Sequence, residues 1–215
     1  FRAAGVRAGL KASGKPDLAL VINDGPLDTA AGVFTTNRVV AAPVVWSRRL
    51  LAGQDGGQPG HARAVVLNSG SANACTGAQG LEDTEATAAH AAGLLGAEPG
   101  QVLVCSTGVI GQRIDMPVLL EGVDVAALAL ADTAQAGTDA ATAIMTTDTV
   151  SKEDALTVGA SHQSWTIGGM IKGVGMLAPG MATMLAVITT DAVLTPQQAQ
   201  DALTSATMRT VNRIN

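Results

Sequence analysis

The chain has no tyrosine, and aromatic residues make up only 2% of it. Its core must therefore be built from Ala, Val, Leu, Ile and Met, which suits β-branched strands layered under alanine-rich helices. Charged residues are sparse too, at 14% against 47% hydrophobic. That balance argues against disorder, and 215 residues hold enough apolar mass for one large domain or two small ones. No basic cluster exceeds the pair Arg48-Arg49, and the formal net charge is −5. Nucleic-acid binding needs a basic footprint and usually stacking aromatics, so that class is set aside. No apolar run reaches the length of a membrane span. The two cysteines, Cys75 and Cys105, read as reduced, buried small residues of a cytoplasmic protein.

Familiar site patterns are missing as well. His61, His90 and His162 lack metal-site spacing, so no metal is implied. The glycine-rich stretches fit neither the dinucleotide fingerprint nor the P-loop, and there is no G-x-S-x-G elbow. No nucleotide cofactor follows from the sequence. The opening segment carries Arg2, Arg7, Lys11 and Lys15 without an acid, a composition shared with transit peptides. A strand and turn of the mature domain is the better reading of it.

What is present is a mixture of strands and helices. Strands are expected at 17–24, 31–36, 39–46, 64–68, 102–106, 164–172 and 182–190. Helices are expected at 81–95, capped by Asp83 or Thr84, after Asp115 with Pro117 in the first turn, at 136–145, and from the capping box at Thr195 to Arg209. The fold class is α/β, layered, with helices packed on sheets.

Four stretches could carry chemistry. In the first, a glycine-rich turn runs through Pro179 into Ala182-Thr183. A threonine in an apolar strand is ordinarily a β-former. If the bond before Thr183 is cut, however, the freed α-amine becomes a base beside the hydroxyl, with a pKa of about 7.7–8.0. In the second, Ser106-Thr107-Gly108 follows a strand, where backbone N–H groups and a hydroxyl could form an oxyanion hole or an ordinary turn. In the third, Met145-Thr146-Thr147-Asp148-Thr149 could bind a polar substrate or cap a helix end. The fourth, the small polar run 68–77, could line a site or form a tight loop.

Taken together, these segments resemble the ornithine acetyltransferase family, the self-cleaving glutamate N-acetyltransferases of arginine biosynthesis. The resemblance runs nearly the whole length. It rests on AGVFTTNRVVAAPV from Ala31, VVLNSGSANACTG from Val65, CSTGVIG from Cys105, AIMTTDTVSK from Ala143 and WTIGGMIKGVGMLAPGMATMLAVITTDA from Trp165. Ile171 and Ser71 are its small departures.

The resemblance implies an αββα core like that of N-terminal-nucleophile enzymes. It implies self-cleavage between Ala182 and Thr183, so that 1–182 is an α-chain portion and 183–215 the start of a β-chain portion. Thr183 would then be the nucleophile and also touch substrate. Thr107 and Gly108 would form the oxyanion hole, and Thr146 and Lys172 would bind substrate. N-acetylornithine would donate acetyl to glutamate, and whether acetyl-CoA also serves as donor stays open. The assembly implied is α2β2, without nucleic acid or membrane. The family's remaining substrate ligands, a Glu and a C-terminal Asn and Thr, fall beyond residue 215. An N-terminal-nucleophile amidohydrolase or aminopeptidase, or an inactive uncleaved fragment, are the competing readings.

Overall fold

The computed structural model describes residues 1–160, 163–175 and 183–214. Two sheets carry the fold. The first has the order β1 (Arg2–Val6), β2 (Leu18–Ile22), β3 (Ala64–Ser71), β4 (Val102–Val109). β1 with β2 and β2 with β3 pair antiparallel, whereas β3 and β4 run parallel. The second sheet is an antiparallel meander of β5 (Glu153–Ala160), β6 (Gln163–Lys172) and β7 (Leu185–Thr190).

The first sheet is covered on both faces, as the unbroken burial of β2 requires. Leu18, Leu20, Ile22, Val66, Val102 and Val104 point to one side. They pack under α1 (Ala42–Leu51), α2 (Gly77–Leu95) and α3 (Met116–Leu128), whose alanines 88, 91, 92 and 126 let the helices sit close. Ala19, Val21 and Leu67 point to the other side. There they meet α4 (Ala134–Ala143), Ile144, and Met170 and Leu185 of the second sheet. Helices α1, α2 and α3 cover one face of the first sheet, and α4 with the second sheet covers the other, the layered α/β class read from the sequence. A side chain at Gly5 would collide with the Asp139 carbonyl, so this glycine lets α4 lie directly against β1. The last helix, α5 (Pro196–Arg209), opens with the expected capping box of Thr195 and Gln198. Gln200 hydrogen-bonds both backbone groups of Gly32. Among the described residues, no helix is long and apolar enough to cross a membrane.

Several elements differ from the sequence reading. Residues 39–46 do not form a strand. Helix α1 begins at Ala42 with Pro43 in its first turn and buries Pro43, Trp46, Ser47 and Leu50, a helical spacing. The valines there had suggested a strand. Residues 31–36 have no regular structure. Helix α2 starts four residues early, at Gly77, so Asp83 and Thr84 lie inside it: Thr84 Oγ1 donates to the Gly80 carbonyl and Asp83 pairs with Arg113. Helix α4 is capped by Thr133 and ends at Ala143. Strand β4 continues to Val109, and β7 begins at Leu185. Strand β5, exposed along most of its length, had no counterpart in the reading. Both cysteines are free, but Cys75 is exposed and Cys105 half-buried, where both were expected to be buried. Burial pushes the Cys105 thiol up to about 12, which leaves it inert at neutral pH.

Candidate active site

Lys172 is the last residue of β6 and is almost fully buried. Strand alternation turns it, like Met170, toward the first sheet. Its Nζ donates to Thr146 Oγ1 at 2.7 Å and to Thr107 Oγ1 at 3.3 Å. Two residues far apart in sequence thus converge on the ammonium of a third. A lysine only donates, so both hydroxyl oxygens act as acceptors in these bonds. Each hydroxyl keeps its own proton for a further partner. Burial lowers the Lys172 pKa, Asp148 opposes this, and Lys152 adds to it.

Thr107 is held by the parallel pairing of β3 with β4, which sets it opposite Ser69 and sets Gly108 opposite Gly70. The pair therefore lies in the strand's last residues rather than in the loop after it. Gly108 has φ of +136°, and a Cβ there would collide with the backbone of Gly70, so the position requires glycine. Thr107 is buried while Gly108 is exposed, so the pair spans the floor and the rim of the site. Beneath it, Ser106 Oγ donates to Asn68 Oδ1 at 2.5 Å, and Asn68 Nδ2 donates to the Ser71 carbonyl at 3.0 Å. The small polar run 68–77 is therefore divided in use. Its first part supports Thr107, and Asn73 ties the turn to α2 through the Gly80 carbonyl and Thr84.

Thr146 lies in an irregular loop after α4 and is exposed. Two side chains from the first sheet's side hold that loop by its backbone. Ser69 Oγ donates to the Ala143 carbonyl at 2.5 Å. Lys11 Nζ donates to the carbonyls of Met145 at 2.6 Å, Pro16 at 2.8 Å and Ala143 at 3.5 Å. Burial lowers the Lys11 pKa, against the pull of Asp17, and the nearby Lys15 and Lys172 lower it further.

Asp148 completes the cluster, with a side chain fully out of solvent. Its Oδ1 accepts from Lys152 Nζ at 2.6 Å and from the Gly173 N–H at 2.8 Å. Its Oδ2 accepts from the Thr146 N–H at 3.3 Å and lies 3.9 Å from Lys172 Nζ. Burial pushes this carboxyl up, but the hydrogen bonds from Lys152, Gly173 and Thr146 and the Lys152 charge outweigh it and hold it down at about 2.

Thr183 is half-buried and lies just outside β7, so it does not serve as a strand residue. The register pairs Leu185 with Lys172. Two residues of chain, at most about 7 Å, therefore separate Thr183 from the partner of Lys172. Ala182, the other half of the expected cleavage bond, lies outside the described residues, as do 176–181.

The sequence reading singled out Thr107, Gly108, Thr146, Lys172 and Thr183. The structure brings Thr107, Thr146 and Lys172 into direct contact. The reading missed Asp148 as an anchor, Lys152 and Lys11. Asp148 was visible inside its threonine-rich motif, but Lys11 lies 134 residues before Met145 and has no local signal. Among the described residues, no group of three or more His, Cys, Asp or Glu could hold a metal ion. His61 and His90 pair instead with Asp28 and Asp124, each at 2.7 Å.

The sequence pattern of the ArgJ family matches residues 2–215. The chain belongs to the ArgJ family. Among curated ArgJ proteins, the arginine biosynthesis bifunctional protein of Bifidobacterium longum is 56% identical over 216 residues, covering all of this chain and 53% of its own length. The Streptomyces coelicolor ArgJ is 54% identical over 215 residues, with the same coverage. The chain thus spans about half the length of the curated relatives it matches. Two solved ArgJ-type structures share the fold. One is the ornithine acetyltransferase of Mycobacterium tuberculosis in complex with ornithine, with TM-score 0.77 and 50% identity, covering 86% of this chain and 92% of that one. The other is ArgJ of Bacillus halodurans, with TM-score 0.73 and 33% identity, covering 86% and 90%.

Proposed function

We propose that the protein containing this chain transfers acetyl from N2-acetylornithine to glutamate through an acetyl ester on Thr183, after cutting itself between Ala182 and Thr183. Membership of the ArgJ family and the ornithine bound to the M. tuberculosis relative favour this chemistry. The geometric observation that carries it is the Lys172 ammonium, bonded at once to Thr107 and Thr146.

In the first stage the Thr183 hydroxyl oxygen attacks the Ala182 carbonyl carbon. The C–N bond breaks, the nitrogen takes the proton, and an ester replaces the amide. Water then hydrolyses that ester, leaving an Ala182 carboxylate and a free Thr183 α-amine. In the second stage the neutral α-amine takes the hydroxyl proton as Thr183 Oγ attacks the acetyl carbonyl. Negative charge develops on the acetyl oxygen. The Thr107 hydroxyl, with its oxygen already engaged by Lys172, turns its proton outward to that charge, and Gly108 keeps the approach clear of a side chain. Ornithine leaves with the proton. The amine of glutamate then attacks the acetyl ester and regenerates Thr183. Thr146, likewise engaged by Lys172, is placed to hydrogen-bond the amino-acid portion of the substrate.

The acyl carrier is the protein itself, so the scheme needs no cofactor. It leaves residues 1–182 and the chain from 183 as separate polypeptides, for which the family resemblance supports an α2β2 assembly in the cytoplasm. Acetyl-CoA fits as an alternative donor to the same hydroxyl, in keeping with the bifunctional description of the relatives.

The test uses the full-length protein and N-acetylornithine without acceptor. One acetyl group should accumulate on the peptide that begins at Thr183, and glutamate should discharge it as N-acetylglutamate. Release of free acetate at the same rate with and without glutamate would make the enzyme an amidohydrolase instead. No acetyl-enzyme at all would overturn the covalent route.

A further inference from the structure

The site contains a carboxylate that the proposed chemistry does not use. Asp148 touches neither the nucleophile nor the oxyanion pair, yet its buried side chain has four partners on two elements. Its bond to the Thr146 N–H fixes the loop that presents Thr146. Its bond to the Gly173 N–H fixes the first residue after β6, where the chain leaves the sheet toward Thr183. Its ion pair sets a negative charge against Lys172. We propose that Asp148 is a positioning residue that keeps the Lys172 ammonium charged and ties the Thr146 loop to the chain leaving β6.

The charge around Lys172 makes such a group necessary. Lys152, on the loop before β5, and Lys11, on the β1–β2 loop, both bring positive charge to the same region, while Asp17 and Asp148 are the acids facing them. Asp17 is engaged by the backbone N–H groups of Ala8, Gly9 and Lys11. Asp148 is therefore the acid paired with Lys172. A neutral lysine would keep two N–H groups and could still donate to the hydroxyls. It would lose the charge that polarises Thr107 and Thr146, and it would gain a lone pair able to accept their protons.

Asp148 and Lys152 act on Lys172 with opposite sign: the acid favours its charged form and the second lysine disfavours it. Two substitutions therefore make opposite predictions. Asp148→Asn keeps the shape and an acceptor oxygen but removes the charge, so Lys172 should lose its proton at lower pH. Lys152→Met removes a partly exposed cation, so Lys172 should hold its proton to higher pH. The role rests on the acetyl-transfer reading, but its direct test does not. The titration of the Lys172 ammonium is followed by NMR in the full-length protein, with its signal assigned by loss in Lys172→Met.

Displacement of the midpoint downward in Asp148→Asn and upward in Lys152→Met supports the role. Midpoints that stay put, or move the same way in both, overturn it. Where Asp148→Asn fails to fold, Asp148→Ser takes its place, and the same downward shift of the Lys172 midpoint decides. With activity measured alongside, the alkaline limb of kcat/KM should follow the two midpoints, and KM for the amino-acid substrate should rise about tenfold or more in Asp148→Asn. A wild-type protein that transfers no acetyl would refute the proposed function and leave the titration to judge Asp148.

Discussion

At the scale of single residues, the account depends on which atom donates. Lys172 offers only N–H groups, so it forces Thr107 and Thr146 to accept from it and to donate elsewhere. Thr107→Val keeps the shape and removes the donor. It should lower kcat for acetyl transfer by about 10²–10³-fold with KM little changed, the cost of one lost oxyanion donor. A loss under about threefold in steady-state rates would remove Thr107 from that role. Asp148 gives a second, independent prediction. Its carboxyl ordinarily titrates at 3.8 and is held at about 2 in the fold. A depressed folded value means stabilisation that is complete above the ordinary pKa and lost as pH falls through the folded one. Between about pH 4 and pH 2 the wild type should therefore lose stability that Asp148→Asn has already lost, so their denaturation midpoints should converge. Thr107, Gly108, Thr146 and Thr183 stood out as candidates because each lies in a distinctive run of small residues and threonines, whereas the role of Lys172 came only from the family resemblance. Lys11 and Lys152 were not legible, because a lysine that solvates backbone carbonyls or a carboxylate leaves no local pattern.

Among the elements, the edge strand β4 carries Thr107 and Gly108 and needs protection on its open side. Helix α1 supplies it. Trp46 Nε1 donates to the Val102 carbonyl at 3.0 Å, and Ser47 Oγ both donates to the Val104 carbonyl at 2.8 Å and accepts the Val104 N–H at 3.0 Å. Ser47→Ala would leave both Val104 backbone groups buried without that partner. It should destabilise the protein by about 1–3 kcal/mol, read as a lower urea midpoint at unchanged slope. An unchanged midpoint would mean that α1 does not hold the strand. Here the sequence was misleading. Val39, Val40, Val44 and Val45 looked like strand, while Pro43 and the spacing of Trp46, Ser47 and Leu50 carried the helix. β2, α3 and α5 were legible because burial, an N-cap or a capping box marks them locally. β5 was not, since an exposed edge strand has little hydrophobic alternation to show.

For the molecule as a whole, the stacking of the two sheets makes the site. Thr107 comes from the first sheet, Lys172 from the second, and Thr146 from the loop between α4 and β5. No local motif could reveal that meeting. Only the family resemblance anticipated that these residues belong together, and their contact through one ammonium gives it a physical form. Thr183 stands two residues before Leu185, the β7 partner of Lys172, and the central claim is that its hydroxyl performs both the cut and the transfer. The most direct test is the intact mass of the full-length protein and of Thr183→Ala, measured with their acetyl-transfer rates. The wild type should appear as two chains, the second beginning at Thr183, and should transfer acetyl. Thr183→Ala should remain one uncut chain and transfer none. A Thr183→Ala protein that still divides at that bond, or still moves acetyl to glutamate, would contradict the account.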